Sequence, residues 1–120
     1  MLNNRGSSAL LAGANYSGAL MEHLKMGQAA SKTHPFRGRL ERLLAHVERV
    51  YSGPTDRPAL SVQSHDEYEE LREQYAPLFW HYLGRALRAT DGVEFALMEA
   101  RIRCLLREFR ADAARVLDGP

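Results

Sequence analysis

Five histidines are the residues of this chain best suited to binding a metal ion or moving a proton: His23, His34, His46, His65 and His81. Zinc sites need His and Cys ligands at short, regular spacings, such as HExxH on a helix or paired CxxC motifs. No histidine here pairs with a cysteine, an aspartate or a second histidine at such a spacing. The pattern predicts no metal and no cofactor, and we interpret the histidines as surface or capping residues.

Cys104 is the single cysteine and falls within a predicted helix, near its apolar side. One thiol cannot form a disulfide within the chain, which is typical of a reducing, cytoplasmic compartment. Reactive thiols need an exposed, electropositive setting, and most cysteines are buried and inert. We predict a buried thiol, with a redox-sensitive one as the alternative because Arg101, Arg103 and Arg107 are close in sequence.

Carboxylates are dense between Asp66 and Glu73. Paired catalytic carboxylates need different surroundings that separate their pKa values. Here they crowd the predicted start of a helix, where Ser64 and Glu67 form a capping box and negative charge suits the helix dipole. The sequence therefore predicts no catalytic residue and no enzyme.

Basic residues concentrate on one predicted helix. They are Lys32, Arg37, Arg39, Arg42 and Arg49. The stretch could contact phosphate, but Glu41 and Glu48 interleave with it and no helix-turn-helix signature follows. The net charge is +1, divided as +4 in residues 1–60 and −3 in residues 61–120. We predict a solvated helix face and no direct nucleic-acid binding, and keep a DNA-binding regulator as a weaker alternative.

Apolar spacing predicts an all-α fold, a small helical bundle of three to five helices with a long C-terminal helix. Residues 1–17 are rich in Asn, Gly, Ser and Ala and are predicted to be a mobile arm, and residues 18–120 a single helical domain. Residues 18–30 are predicted to form a short helix, which Gly27 weakens. The alternative is that this segment becomes ordered only when it binds a partner. No run of apolar residues is long enough to span a membrane.

The next two helices have recognisable limits. Thr33 is the predicted N-cap of a helix over residues 35–51, with Pro35 in its first turn. Its core stripe is Phe36, Leu40, Leu43, Leu44, Val47, Val50 and Tyr51. A connector over residues 54–63 follows. Ser64 is the predicted start of the following helix, which Pro77 is expected to kink or divide.

The last helix is predicted over residues 92–117, with Asp91 and Glu94 as a second capping box. Its seam keeps 3-4 spacing and is predicted to form the core or to self-associate. The seam consists of Phe95, Met98, Ile102, Leu105 and Phe109, continued by Ala113 and Val116.

Residues 78–83 read LFWHYL, so bulky groups cover most of the helix circumference. A small monomer cannot bury every side of such a helix, and aromatic residues are favoured at the centres of interfaces. We predict that Phe79, Trp80, Leu83 and Leu106 bind a partner protein. A thick local core is the alternative interpretation.

The segments PFRGRLERLLAHVERVY and SHDEYEELREQYAPLFWHYLGRALRATDGVEFALMEARIRCLLREF resemble the QslA-type quorum-sensing antiactivators over about residues 34–117. The resemblance rests on length, helix order and the second half of the chain, and no single motif carries it. It implies a cytoplasmic helical homodimer that binds the ligand-binding domain of a LuxR-type (LasR-like) transcription activator. Such binding would block the activator's dimerisation and its DNA binding. A small phage or bacterial helical adaptor, or assembly factor, is the alternative function.

Overall fold

The computed structural model describes residues 15–52 and 62–118. They form α1 (Tyr16–Ala30), α2 (Arg37–Ser52), α3 (Val62–Arg88) and α4 (Gly92–Asp118), with a short 3₁₀ turn, Ser31–Thr33, after α1. No strand occurs within these two ranges. The predicted all-α class, the small helical bundle and the long C-terminal helix are confirmed. Most of the predicted arm 1–17 and of the connector 54–63 lies outside the described residues.

The first helix begins two residues before its predicted start, so Tyr16 and Ser17 belong to α1 and not to an arm. The Asn15 side chain accepts the backbone N–H of Gly18 (2.8 Å). The Glu73 carboxylate of α3 accepts the N–H groups of Tyr16 (3.0 Å) and Ser17 (2.7 Å). A helix start has N–H groups without partners inside the helix, and here a distant carboxylate accepts two of them.

The turn between α1 and α2 is organised by His34. Its Nδ1 accepts the backbone N–H of Phe36 (3.0 Å), while its Nε2 lies 3.0 Å from the carbonyl oxygen of Ala86. The predicted N-cap, Thr33, is wrong: its hydroxyl donates to the Ala30 carbonyl at the end of α1 (3.4 Å). The carbonyl of Phe36 accepts the N–H of Leu40 (2.8 Å), which is the first hydrogen bond of α2.

The predicted core stripe of α2 is confirmed, since all its members are buried or half-buried. Tyr51 ends the stripe inside the bundle, and burial raises the pKa of its phenol to about 12. Its hydroxyl lies 2.7 Å from Ser17 Oγ and donates to the backbone carbonyl of Arg72. The Tyr51 hydroxyl therefore links α1, α2 and α3.

The start of α3 differs from the prediction. The helix begins at Val62, so Ser64 lies inside its first turn and the predicted capping box with Glu67 is wrong. The prediction of a start at Ser64 depended on the spacing of Ser64 and Glu67, a short local pattern that does not exclude an earlier helix start. The helix runs through Pro77 without dividing. Proline has no N–H, so the Glu73 carbonyl has no donor within the helix.

The last helix begins as predicted at Asp91, whose carboxylate accepts the N–H of Val93 (2.7 Å). The second half of the predicted capping box is wrong, because Glu94 instead lies 3.7 Å from Arg85 of α3. Negative charge in the first turn still suits the helix dipole.

Contacts between side chains fix the directions of the helices. Arg85 lies near Glu94, and the Tyr75 hydroxyl donates to Asp112 (2.6 Å), so α3 and α4 form an antiparallel hairpin. The helices α1 and α2 form a second antiparallel hairpin, in which the Cβ position of Gly27 would contact Leu44 at 3.4 Å.

The two hairpins pack side by side with α1 parallel to α3 and α2 parallel to α4. At one end of the α2–α4 contact the rings of Phe36 and Phe95 lie 5.0 Å apart, and at the other Tyr51 and Phe109 lie 5.4 Å apart. A single buried core results, built on Leu20, Leu24, Leu40, Leu43, Leu44, Val47, Tyr51, Phe79, Leu83, Phe95, Ile102, Leu106 and Phe109. Within the described ranges, no helix combines the length and the apolarity needed to cross a bilayer.

Candidate protein-binding surface

The bulky residues at 78–83 are divided between core and surface. Phe79 and Leu83 are fully buried, while Trp80 is 42 % exposed. Residues four apart share a helix face, so Phe79 and Leu83 point together into the bundle. Trp80 lies about 100° around the helix from Phe79 and points to the side of α3 that meets α1.

Three of the four predicted partner-binding residues are therefore placed in the core. Phe79, Leu83 and Leu106 are at most 2 % exposed and cannot reach a partner while the bundle is folded. The thick-core interpretation is correct for these three. Trp80 alone of the four has an exposed side chain.

The seam of α4 is also internal. Phe95, Met98, Ile102, Leu105 and Phe109 are all buried within one chain. The seam is therefore the core of the bundle, and these side chains are not available for self-association. Leu97, beside it, is 55 % exposed.

His23 of α1 stacks on Trp80. The ring centroids are 4.9 Å apart and the planes differ by 5°. Burial, followed by the positive charge of Arg88, lowers the pKa of His23 below its usual value of 6.5. Its Nε2 is buried and has no hydrogen-bond partner among the described residues. At neutral pH the imidazole is therefore uncharged and acts as an aromatic support for the indole.

An apolar depression of about 430 Å³ borders the exposed side of Trp80. It is lined by Tyr16, Ala19, Pro77, Trp80 and His81. Sequence reasoning missed Tyr16, Ala19 and Pro77 as site residues. The sequence predicts Tyr16 to be part of the arm, and no local signal indicates that α1 packs along α3 nearly sixty residues later.

Two carboxylates of the acidic cluster stabilise the fold through contacts with partners. Glu73 accepts the N–H groups at the start of α1, and Glu69 lies 3.1 Å from the Arg72 guanidinium. Glu67 and Glu70 line a shallow groove shared with Asp112 of α4. Glu69 and Glu73 therefore have structural roles that differ from the predicted one, because α3 starts earlier and the cluster lies beyond its first turn.

The basic stretch of α2 is partly paired. Arg37 bonds Glu41 one turn later (3.2 Å), and Arg39 bonds Glu99 of α4 (2.5 Å). Lys32, Arg42 and Arg49 are exposed. The predicted solvated face is present, and α4 adds further arginines beside it.

Cys104 is exposed, so the prediction of a buried thiol is wrong. Its neighbours Ile102, Leu105 and Leu106 turn inward and leave Cys104 on the outer side of α4. The Arg107 guanidinium donates to its Sγ (3.2 Å).

The histidines are dispersed. His65 and His81 are exposed, and the Nδ1 of His46 lies 3.3 Å from the Arg103 guanidinium. In the described part of the chain, no three His, Cys, Asp or Glu side chains come together in a group that could hold a metal ion.

Comparison of the chain with protein-family models, with curated proteins and with solved structures found no match. The described residues form a four-helix bundle, and Trp80 with the adjacent depression is its candidate protein-binding surface.

Proposed function

We propose that this chain is a protein-binding antiactivator of the QslA type. In this proposal it is a cytoplasmic protein that sequesters a LuxR-type (LasR-like) quorum-sensing activator through the activator's ligand-binding domain. The activator can then neither dimerise nor bind DNA, and the transcription that it drives falls.

The single observation that carries the proposal is the exposed Trp80 beside an apolar depression. The core is already complete without this indole, since Phe79 and Leu83 fill the inner face of α3. An exposed tryptophan of this kind is typical of the centre of a protein interface. The resemblance in helix order and in the second half of the chain supplies the class of partner.

The surroundings of Trp80 suit a protein partner. The depression is large enough to accept an apolar side chain, and His81, which lines it, is an exposed polar residue. Interfaces combine an apolar centre with a polar rim in this way. His23 supports the indole from behind, so little side-chain freedom remains to be lost on binding.

The inhibition needs no active site. A protein that binds the monomer of an activator depletes the active dimer by mass action. If the bound surface overlaps the dimerisation surface, each complex formed removes one subunit from the DNA-binding population.

A homodimer belongs to the same proposal. Because the α4 seam is internal, two copies would meet through residues that remain exposed. Leu78 and Leu97, on α3 and α4, are 46 % and 55 % exposed and are the apolar candidates for this contact.

The test uses a purified LasR-like activator with its signal ligand and a labelled operator duplex. The chain is added at a salt concentration at which it gives no mobility shift by itself, and both the activator–DNA complex and the activator dimer are measured. Trp80→Ala is compared with Val93→Ala, a truncation of an exposed apolar residue outside both the depression and the proposed dimer contact. We expect loss of the activator–DNA complex with the native chain and with Val93→Ala. Trp80→Ala should need at least about tenfold more protein.

Unchanged DNA binding by the activator, or equal potency of Trp80→Ala and the native chain, would overturn the proposal. A small phage or bacterial adaptor would behave differently. It would form oligomers larger than a dimer by itself and would not affect any regulator.

A further inference from the structure

The parallel helices α2 and α4 are neighbours in the bundle, and their outer edges lie side by side. Glu99 of α4 bonds Arg39 of α2, and further along Arg103 of α4 bonds His46 of α2 (3.3 Å). Each helix thus contributes an outward stripe to a common surface. We call this surface the basic face.

The basic face carries six arginines. By helical spacing they share the two stripes, and they are Arg39, Arg42, Arg49, Arg103, Arg107 and Arg110. Glu99 is the one carboxylate on these stripes in the described ranges, and it lies within 4 Å of both Arg39 and Arg103. Positive charge is therefore in large excess, although the chain as a whole carries only +1.

The pKa of His46 reflects the positive charges around it at the centre of the basic face. Its pKa is lowered first by burial and then by the positive charges of Arg49, Arg103 and Arg110. Guanidinium groups from both helices therefore act at the same point. The neutral ring accepts a hydrogen bond from Arg103 and adds no charge of its own.

The composition of the basic face distinguishes a nucleic acid from a protein partner. Protein interfaces have an apolar centre depleted of charge. The large exposed apolar side chains of the described residues lie off the two stripes, at Met26, Leu78, Trp80, Val93 and Leu97. Interfaces with DNA are more polar and much more positively charged. The basic face also presents no Phe, Tyr or Trp on which an unpaired base could stack, which favours a duplex over a single strand.

We propose that the basic face binds the phosphate backbone of duplex DNA without base specificity. From Arg39 to Arg49 the α2 stripe is about 15 Å long, which corresponds to about four base-pair steps of a duplex. Arginine suits this role because its planar guanidinium donates two hydrogen bonds to one phosphate. The proposal goes beyond the antiactivator function, is independent of any regulator, and departs from the expectation of no nucleic-acid contact.

The experiment measures fluorescence anisotropy of a labelled 20-base-pair duplex of arbitrary sequence with the full chain, from low to moderate salt. Arg49→Glu with Arg110→Glu removes two exposed arginines from the basic face. The control, Lys25→Glu with Arg88→Glu, makes the same change in net charge at exposed positions outside the two stripes. Circular dichroism and thermal melting verify folding. If the variant with both glutamates does not fold, Arg49→Gln with Arg110→Gln replaces it.

We expect native binding to weaken with salt at about −0.9 in log K per log salt for each phosphate neutralised. The variant of the basic face should bind DNA at least about tenfold more weakly at low salt, and its slope of log K against log salt should be shallower by about 2. The control variant should lose clearly less affinity. Trp80→Ala should bind DNA like the native chain. No binding at low salt, equal losses in both double variants, stronger binding to a single strand, or equal competition by polyglutamate of matched charge would each overturn the proposal.

Discussion

Glu73 accepts the backbone N–H of Ser17 at 2.7 Å, although 56 residues separate the two in sequence. The same carboxylate accepts the N–H of Tyr16, so one side chain of α3 caps the start of α1. The contact also fixes the position of Tyr16, which lines the depression beside Trp80. The stability of the fold and the shape of the candidate surface therefore depend on the same carboxylate.

Glu73→Gln should reduce the free energy of unfolding by about 1–2 kcal/mol, because a neutral amide is a weaker acceptor and cannot offer two charged oxygens to the helix start. Chemical denaturation measures the change. Glu70→Gln, at an exposed position of the same helix, is the control and should change stability little. Equal losses in the two variants would show that the cap of α1 is not the cause.

The stack of His23 on Trp80 should make the fluorescence of the single tryptophan pH-dependent. Burial and Arg88 lower the pKa of His23, so its protonation should occur below 6.5. We expect a transition in Trp80 emission with a midpoint below that value, which His23→Gln should abolish. A midpoint above 6.5, or an unchanged transition in His23→Gln, would contradict the assignment.

Acid should also destabilise the fold through His23 and His46, whose pKa values are both lowered. The unfolded chain binds protons near pH 6.5, while the folded chain binds them only at lower pH. Between these values the unfolded state holds more protons, so stability rises with pH. Melting temperatures should fall as the pH is lowered below 6.5. A variant with Gln at both positions should lose less stability over this range than the native chain.

Gly27→Ala should stabilise the protein by up to about 1 kcal/mol, since alanine is the better helix former and the site has room for it. The added Cβ would meet Leu44 at 3.4 Å and Leu87 at 3.5 Å, which is ordinary contact. Gly27→Leu serves as the opposing control, because its larger side chain would separate α1 from α2 and α3. Chemical denaturation measures the free energy of unfolding of the native chain and the two variants. A loss of stability in Gly27→Ala would show that the packing around Gly27 leaves no room for a Cβ atom.

Cys104 should react with an aromatic disulfide reagent in the native protein, because its thiol is exposed on α4. One thiol per chain should be titrated without denaturant, and the total should not rise on unfolding. Reaction that begins only after denaturant is added would place the thiol in the core.

The helices themselves could be predicted from the sequence because their signals are local. The stripe of α2 and the seam of α4 repeat at 3-4 spacing, and burying one face of a helix requires that spacing whatever the partner helix is. The Asp91 cap was predicted for the same reason, since it involves only the next few residues. Where the signal was a short capping pattern alone, as at Ser64 and Glu67, the predicted helix start was wrong.

Only the tertiary structure decided which bulky residues remain outside. Phe79 and Trp80 are adjacent aromatic residues on one helix, and their burial differs because α4 and α2 cover one side of α3 while α1 covers only part of another. Cys104 is exposed for a similar reason. A helical pattern sets the angle between side chains, but the neighbour that covers each side depends on contacts between residues far apart in sequence. The support of Trp80 by His23 and the alignment of the α2 and α4 arginines come from those contacts.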